Sequence, residues 1–161
     1  EKDYLVKKLN LKDIIQKVVR SNAKMLISNK IKIDMKNLDQ KIFSDEKWLL
    51  FILNQIISNA VKYKKEDAQI LFEARQSTDQ ILLEIRDNGI GIAAKDLPRV
   101  TDKGYTGTTG RNYEKSTGMG LYLCKKLCDK LQLSFKIESK EEEYTIVTIG
   151  FPRSSMIFLN E

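Results

Sequence analysis

At 161 residues and 42% hydrophobic, the chain can bury one substantial core and is read as a single compact domain over 1–161. No run of about 18 apolar residues and no leader pattern is present, so a soluble fragment is expected. The absence of His excludes Ser-His-Asp hydrolysis and any phosphohistidine formed within these residues. A net charge of +6 suits an acidic partner, but the lysines are scattered and aromatics make up only 8%, which favours a solvated surface over a nucleic-acid face.

In chain order, residues 9–27 carry Leu11, Ile14, Ile15, Val18, Val19 and Leu26 at mostly helical spacing, which predicts a first amphipathic helix. Lys30 to Met35 alternates in the manner of a half-buried strand, and a second strand is placed at Lys41–Phe43. Ser44 and Asp45 offer caps for a strongly apolar helix from Glu46 to Tyr63. Gln69–Arg75 and Gln80–Arg86 read as a hairpin whose second strand runs into Asp87-Asn88-Gly89-Ile90-Gly91. Leu97 to Ser116 is read as a long loop, because it has few apolar residues and carries Gly104, Gly107 and Gly110. A helix from Gly118 to Leu131 precedes two strands, Ser134–Ser139 and Tyr144–Phe151. Helix and hairpin runs of this kind predict an α+β two-layer sandwich.

Cys124 and Cys128 lie four apart on the predicted last helix with no further Cys and no His, so they are read as reduced core thiols rather than metal ligands. Four other features can carry chemistry. The helix over 46–63 bears Asn54, Gln55, Ser58, Asn59 and Lys62, whose amides could ligate Mg²⁺ and whose ammonium could reach a phosphate. They could equally cap neighbouring backbone. Asp87 ends a buried strand and could accept from an exocyclic amine such as that of adenine, with Gly89 and Gly91 permitting positive φ and close approach. A type I′ Asn-Gly turn is the plainer alternative. The loop bounded by Lys103 and Arg111 could close over a phosphate chain or be a surface insertion. Thr117-Gly118-Met119-Gly120 opens a helix, where backbone N–H groups favour an anion, or it is a simple turn. Taken together, the four features make a complete ATP site.

The order of these motifs resembles the histidine kinase branch of the ATPase superfamily that also includes DNA gyrase, the heat-shock-90 chaperones and the mismatch-repair ATPases. The resemblance spans roughly Ile42 to Pro152. It implies a Bergerat-type ATP-binding fold, a mixed, mainly antiparallel sheet packed on about three helices. Gln55 through Tyr63 matches the family's Asn-box, which implies Asn59 as Mg²⁺ ligand, Gln55 as a second metal-shell or water-positioning amide, Lys62 as a phosphate contact and Tyr63 against the adenine. Asp87 becomes the adenine-binding carboxylate, Gly89 and Gly91 shape its pocket, and Ile92 lines the wall. Lys103, Gly104, Tyr105, Thr106 and Gly107 resemble the opening of an ATP lid, and Thr117, Gly118, Met119, Gly120 and Leu121 the glycine box that closes it. Two positions depart from the family: Gln55 stands where Asn is usual, and Thr101 where Phe is common.

The function so implied is transfer of the γ-phosphoryl group of Mg-ATP to a His on a separate dimerisation domain, for onward transfer to an Asp of a response regulator. The fragment alone would bind ATP without autophosphorylating and would be a monomer, while the full-length kinase would be a homodimer. The K-G-Y-T-G-T-T-G-R run and Ala60-Val61-Lys62-Tyr63 look most like membrane sensor kinases that work with ABC transporters in antimicrobial-peptide response, which implies the cytoplasmic part of a membrane protein. Nucleic acid is not an expected partner. Two rivals remain: a dimer-clamp ATPase of gyrase or chaperone type, and a basic binding module with a degenerate nucleotide site.

Overall fold

The structure, a computed structural model, describes residues 4–104 and 120–153. Its main sheet has five strands, β2 (Lys32–Lys36), β4 (Gln69–Gln76), β5 (Gln80–Asp87), β6 (Ser134–Lys140) and β7 (Tyr144–Pro152), in the order β2-β4-β5-β7-β6. Only β2 and β4 run parallel, and the other neighbours are antiparallel. Two further strands, β1 (Val6–Asn10) and β3 (Lys41–Asp45), pair antiparallel as a separate ribbon. The helices are α1 (Leu11–Ser21), α2 (Ala23–Ser28), α3 (Glu46–Lys62) and α4 (Gly120–Lys130).

One face of the sheet, with Ile70, Phe72, Ala74, Leu83, Ile85, Ile149 and Phe151, is buried against apolar stripes of α1, α3 and α4, as an α+β two-layer sandwich requires. In α3 the stripe is Leu49, Ile52, Leu53, Ile56, Ile57 and Ala60, at helical i, i+3, i+4 spacing. Each fully buried Leu or Ile there contributes about 1.5–3 kcal/mol. Asp45 starts the helix: one carboxylate oxygen accepts from Trp48 N–H at 3.0 Å and the other from Leu5 N–H at 2.7 Å.

The single helix expected over 9–27 is not what forms. Leu9 and Asn10 belong to β1, where Leu9 pairs with Ile42. Asn10 then caps α1 by accepting from Asp13 N–H at 3.2 Å. Asn22 divides the remainder: its side-chain amide donates back to the Val18 carbonyl at 2.8 Å and interrupts the ladder. The apolar period persists across the break because α1 and α2 both bury their apolar residues in the same core. The next strand begins at Lys32 rather than Lys30, since Lys30 takes a left-handed φ of 56° to leave the helix. Within the loop read from Leu97, residues Leu97–Arg99 form one 3₁₀ turn.

Candidate functional site

The site lies where β5, the C-terminus of α3 and the N-terminus of α4 meet. Along β5, Ile81, Leu83 and Ile85 face the helices, and alternation puts Asp87 on that same face. The Asp87 carboxylate is partly buried, and Oδ1 accepts from Gly89 N–H at 2.9 Å. Burial pushes its pKa up to about 6 from 3.8, against the opposing pull of the Gly89 N–H. Gly89 N–H is the donor that the described residues supply to this carboxylate.

The Asp87–Gly91 segment is not an Asn-Gly hairpin turn. Of its two glycines only Gly91 has a positive φ, 71°. Asn88 is spent on a neighbouring loop, where Oδ1 accepts from Gln69 N–H at 2.8 Å and Nδ2 donates to the Asp67 carbonyl at 3.0 Å. The glycines serve the chain's own packing. A Cβ on Gly89 would stand 2.6 Å from the Tyr63 carbonyl oxygen, and one on Gly91 would stand 2.3 Å from that of Lys140. The close approach expected of a ligand is thus made by backbone, which clamps the segment between the end of α3 and the β6–β7 turn.

Three hydrogen bonds fix that clamp. Ile90 N–H donates to the Tyr63 carbonyl at 3.0 Å, and Glu142 N–H to the Ile90 carbonyl at 2.6 Å. Ile92 N–H donates to Ser139 Oγ at 2.8 Å, and that hydroxyl donates to the Tyr144 carbonyl at 2.7 Å. Lys65 Nζ also donates to the Glu142 carbonyl. Ser139, Glu142 and Lys65 were not singled out from the sequence, where a lone Ser at a strand end and a charged turn carry no signal.

On α3, Gln55, Ser58, Asn59 and Lys62 occupy one polar stripe at helical spacing. Gln55 faces α4: a Cβ on Gly120 would meet Gln55 Oε1 at 2.9 Å, so the amide end of Gln55 lies against the first turn of α4. Asn59 is partly buried one turn further on, and Lys62 Nζ lies 5.4 Å from the centroid of the Tyr63 ring. Leu121 is partly buried on the first turn of α4. Asn54 does not join this stripe, because its Oδ1 accepts from Asn22 Nδ2 at 2.7 Å and ties α3 to the end of α1. Lys103 and Gly104 are exposed, with Lys103 Nζ 6.0 Å from the Tyr122 ring and Gly104 at φ 77°. Tyr105, Thr106, Gly107, Thr117, Gly118 and Met119 lie outside the described residues.

Among the described residues no three His, Cys, Asp or Glu side chains gather as a metal site. Cys124 and Cys128 are buried in the core face of α4, where burial pushes both thiols up to about 12, and Cys124 Sγ lies 3.7 Å from the Ile52 carbonyl. They behave as small core residues, as read from their spacing.

The model of the "Histidine kinase-, DNA gyrase B-, and HSP90-like ATPase" family matches residues 44–155. The chain is 38% identical over 152 residues to the sensor protein BceS of Bacillus subtilis, covering 94% of this chain and 45% of that protein. It is 35% identical to the sensor histidine kinase YxdK of the same organism, covering 94% of this chain and 47% of that one. The chain thus spans about half the length of these relatives. The fold matches that of the catalytic domain of histidine kinase ThkA with a TM-score of 0.78 at 18% identity, covering 92% of this chain and 98% of that one.

Proposed function

Because the chain belongs to the histidine kinase-, DNA gyrase B- and HSP90-like ATPase family, we propose that it is the ATP-binding catalytic domain of a sensor histidine kinase. In this reading residues 1–161 form one domain that presents the γ-phosphoryl group of ATP to a His on a separate dimerisation domain. A response regulator Asp then receives it. The chain contains no His, so the acceptor is not among these residues.

The observation that carries the reading is Asp87. Among the described residues its carboxylate receives one hydrogen bond, from Gly89 N–H, while burial makes the charged form costly. The exocyclic amine of adenine supplies the donor this carboxylate lacks. Tyr63 and Ile92 flank the base, and the Lys62 ammonium offsets phosphate charge. Gln55 and Asn59 offer neutral amide oxygens, which fit a divalent ion shared with phosphate and water better than one caged by protein carboxylates. Bound Mg²⁺ would supply charge neutralisation on the phosphates. The remaining catalytic contribution is orientation, which suits phosphoryl transfer. Gln55 cannot take a proton from water, which sets the site apart from that of a hydrolysing dimer clamp. The lid assignment to Lys103, Gly104, Tyr105, Thr106 and Gly107, and the glycine box from Thr117 through Leu121, belong to the same proposal. So do the homodimeric membrane-anchored parent, its placement with an ABC transporter, and the cytoplasmic position of this domain.

Calorimetric titration with a non-hydrolysable ATP analogue, with and without Mg²⁺, tests the site. Saturable binding that Asp87→Asn weakens by about tenfold to a hundredfold and whose Mg²⁺ dependence Asn59→Ala removes is expected. Absence of binding at millimolar nucleotide refutes the reading in favour of a degenerate binding module.

A further inference from the structure

The segment that follows Asp87 is held at its far end by a residue two strands away. In the register, Asp87 on β5 pairs with Thr145 on β7, and Thr145 pairs with Ser139 on β6, so the three lie in one transverse row. Alternation places this row on the helix side of the sheet, at the rim of the core. Two strand spacings put Ser139 about 10 Å from Asp87. The chain leaves the row at Asp87, passes through Asn88 to Gly91, and returns to it where Ile92 N–H meets Ser139 Oγ at 2.8 Å. Ser139 Oγ is itself fixed on both sides: it donates to the Tyr144 carbonyl at 2.7 Å and lies 2.9 Å from Thr145 Oγ1. Midway, the Ile90 carbonyl is held by Glu142 N–H at 2.6 Å, and Lys65 Nζ reaches the Glu142 carbonyl from the loop that follows α3.

Resting on the reading of Asp87 as the adenine acceptor, we propose that Ser139 is a positioning residue for base recognition. Its hydroxyl, with the Glu142 backbone and Lys65, braces Ile90–Ile92 so that Gly89 keeps its N–H on Asp87 Oδ1 and the carboxylate holds its aim. Neither Ser139 nor Lys65 needs to touch the nucleotide. Removing the hydroxyl leaves Ile92 N–H without its acceptor and frees the far end of the segment, and the orientation of Asp87 relaxes. The effect falls on discrimination of the base rather than on phosphate binding.

The test compares the Kd of ATP with that of purine riboside triphosphate, which lacks only the 6-amino group. It uses wild type, Ser139→Ala, Ser139→Thr, Lys65→Ala and the core control Ile149→Val. Wild type should prefer ATP by about tenfold to a hundredfold, the worth of one hydrogen bond to a charged acceptor. Ser139→Ala should narrow that preference to about threefold or less, Ser139→Thr should restore it, and Lys65→Ala should reduce it part way. Ile149→Val should lower the melting temperature while keeping the preference. If Ser139→Ala does not fold, Lys65→Ala, at the protein surface, carries the comparison. A wild-type preference held within twofold by Ser139→Ala and Lys65→Ala overturns the proposal, as does an equal loss in Ile149→Val. Wild type that binds both nucleotides equally overturns the base-recognition reading beneath it, and failure to bind either refutes the nucleotide site itself.

Discussion

Replacing Asp87 by Asn should make the protein more stable while weakening its hold on ATP. The carboxyl pKa is raised from 3.8 to about 6 because burial disfavours the charged form. Since the folded-state pKa lies above the unfolded one, the fold holds the extra proton between the two. Stability is therefore lost as pH rises from about 4 to about 6 and stays lost above that. At about 1.4 kcal/mol per pH unit the full shift corresponds to about 3 kcal/mol. Solvent reaching the partly exposed group reduces this to about 1–2 kcal/mol. Asn keeps the shape and an oxygen that can accept from Gly89 N–H, but carries no charge to desolvate. Urea unfolding at pH 8 should place Asp87→Asn about 1–2 kcal/mol above wild type, and the gap should narrow to a small remainder near pH 4, where the folded-state carboxyl is protonated and the unfolded one about half so. The same substitution should weaken ATP by about tenfold to a hundredfold through the lost charge-assisted hydrogen bond. A variant no more stable than wild type at pH 8, or an advantage unchanged at pH 4, would refute the account of Asp87 as a charge held at a cost for its ligand.

Gly89→Ala puts a methyl 2.6 Å from the Tyr63 carbonyl oxygen and 3.0 Å from Asp87 Oδ1. It should cost about 1–3 kcal/mol by denaturant titration and, by displacing the carboxylate, reduce ATP affinity at least about tenfold. Glu142 has a left-handed φ of 66°, so Glu142→Gly should gain about 0.5–1 kcal/mol in unfolding free energy with nucleotide affinity retained; a loss of stability would count against strain at that turn. Cys124 and Cys128, with pKa values pushed up to about 12, should react with a disulfide reagent at pH 8 only at the rate of unfolding. Rapid labelling of the native protein would contradict their burial.

The parts of the fold set by local pattern could be read directly. The α3 stripe, the β4–β5 and β6–β7 hairpins and the core placement of both thiols follow from apolar period and turn chemistry. What could not be read depends on partners distant in the chain. Nothing in Val6–Asn10 announces a strand, because its partner β3 lies some thirty residues on, at Lys41–Asp45. Asn54 and Asn59 look alike on one helix, yet Asn22 takes Asn54 for a bond between helices. The Asn-Gly pair suggests a tight turn, but Asp67 and Gln69 capture the Asn88 side chain and the turn does not form. Ser139 acts through a backbone N–H forty-seven residues away, a relation no spacing rule contains.

The β6–β7 turn has a further consequence for how this chain can be altered. Exposed hairpin tips ordinarily accept added residues, since little depends on their path. Here the tip is a spacer of fixed length: the Lys140 carbonyl fills the room that Gly91 leaves open, and Glu142 N–H holds Ile90. A peptide tag or a single inserted residue at this outwardly innocuous loop would reach the base pocket.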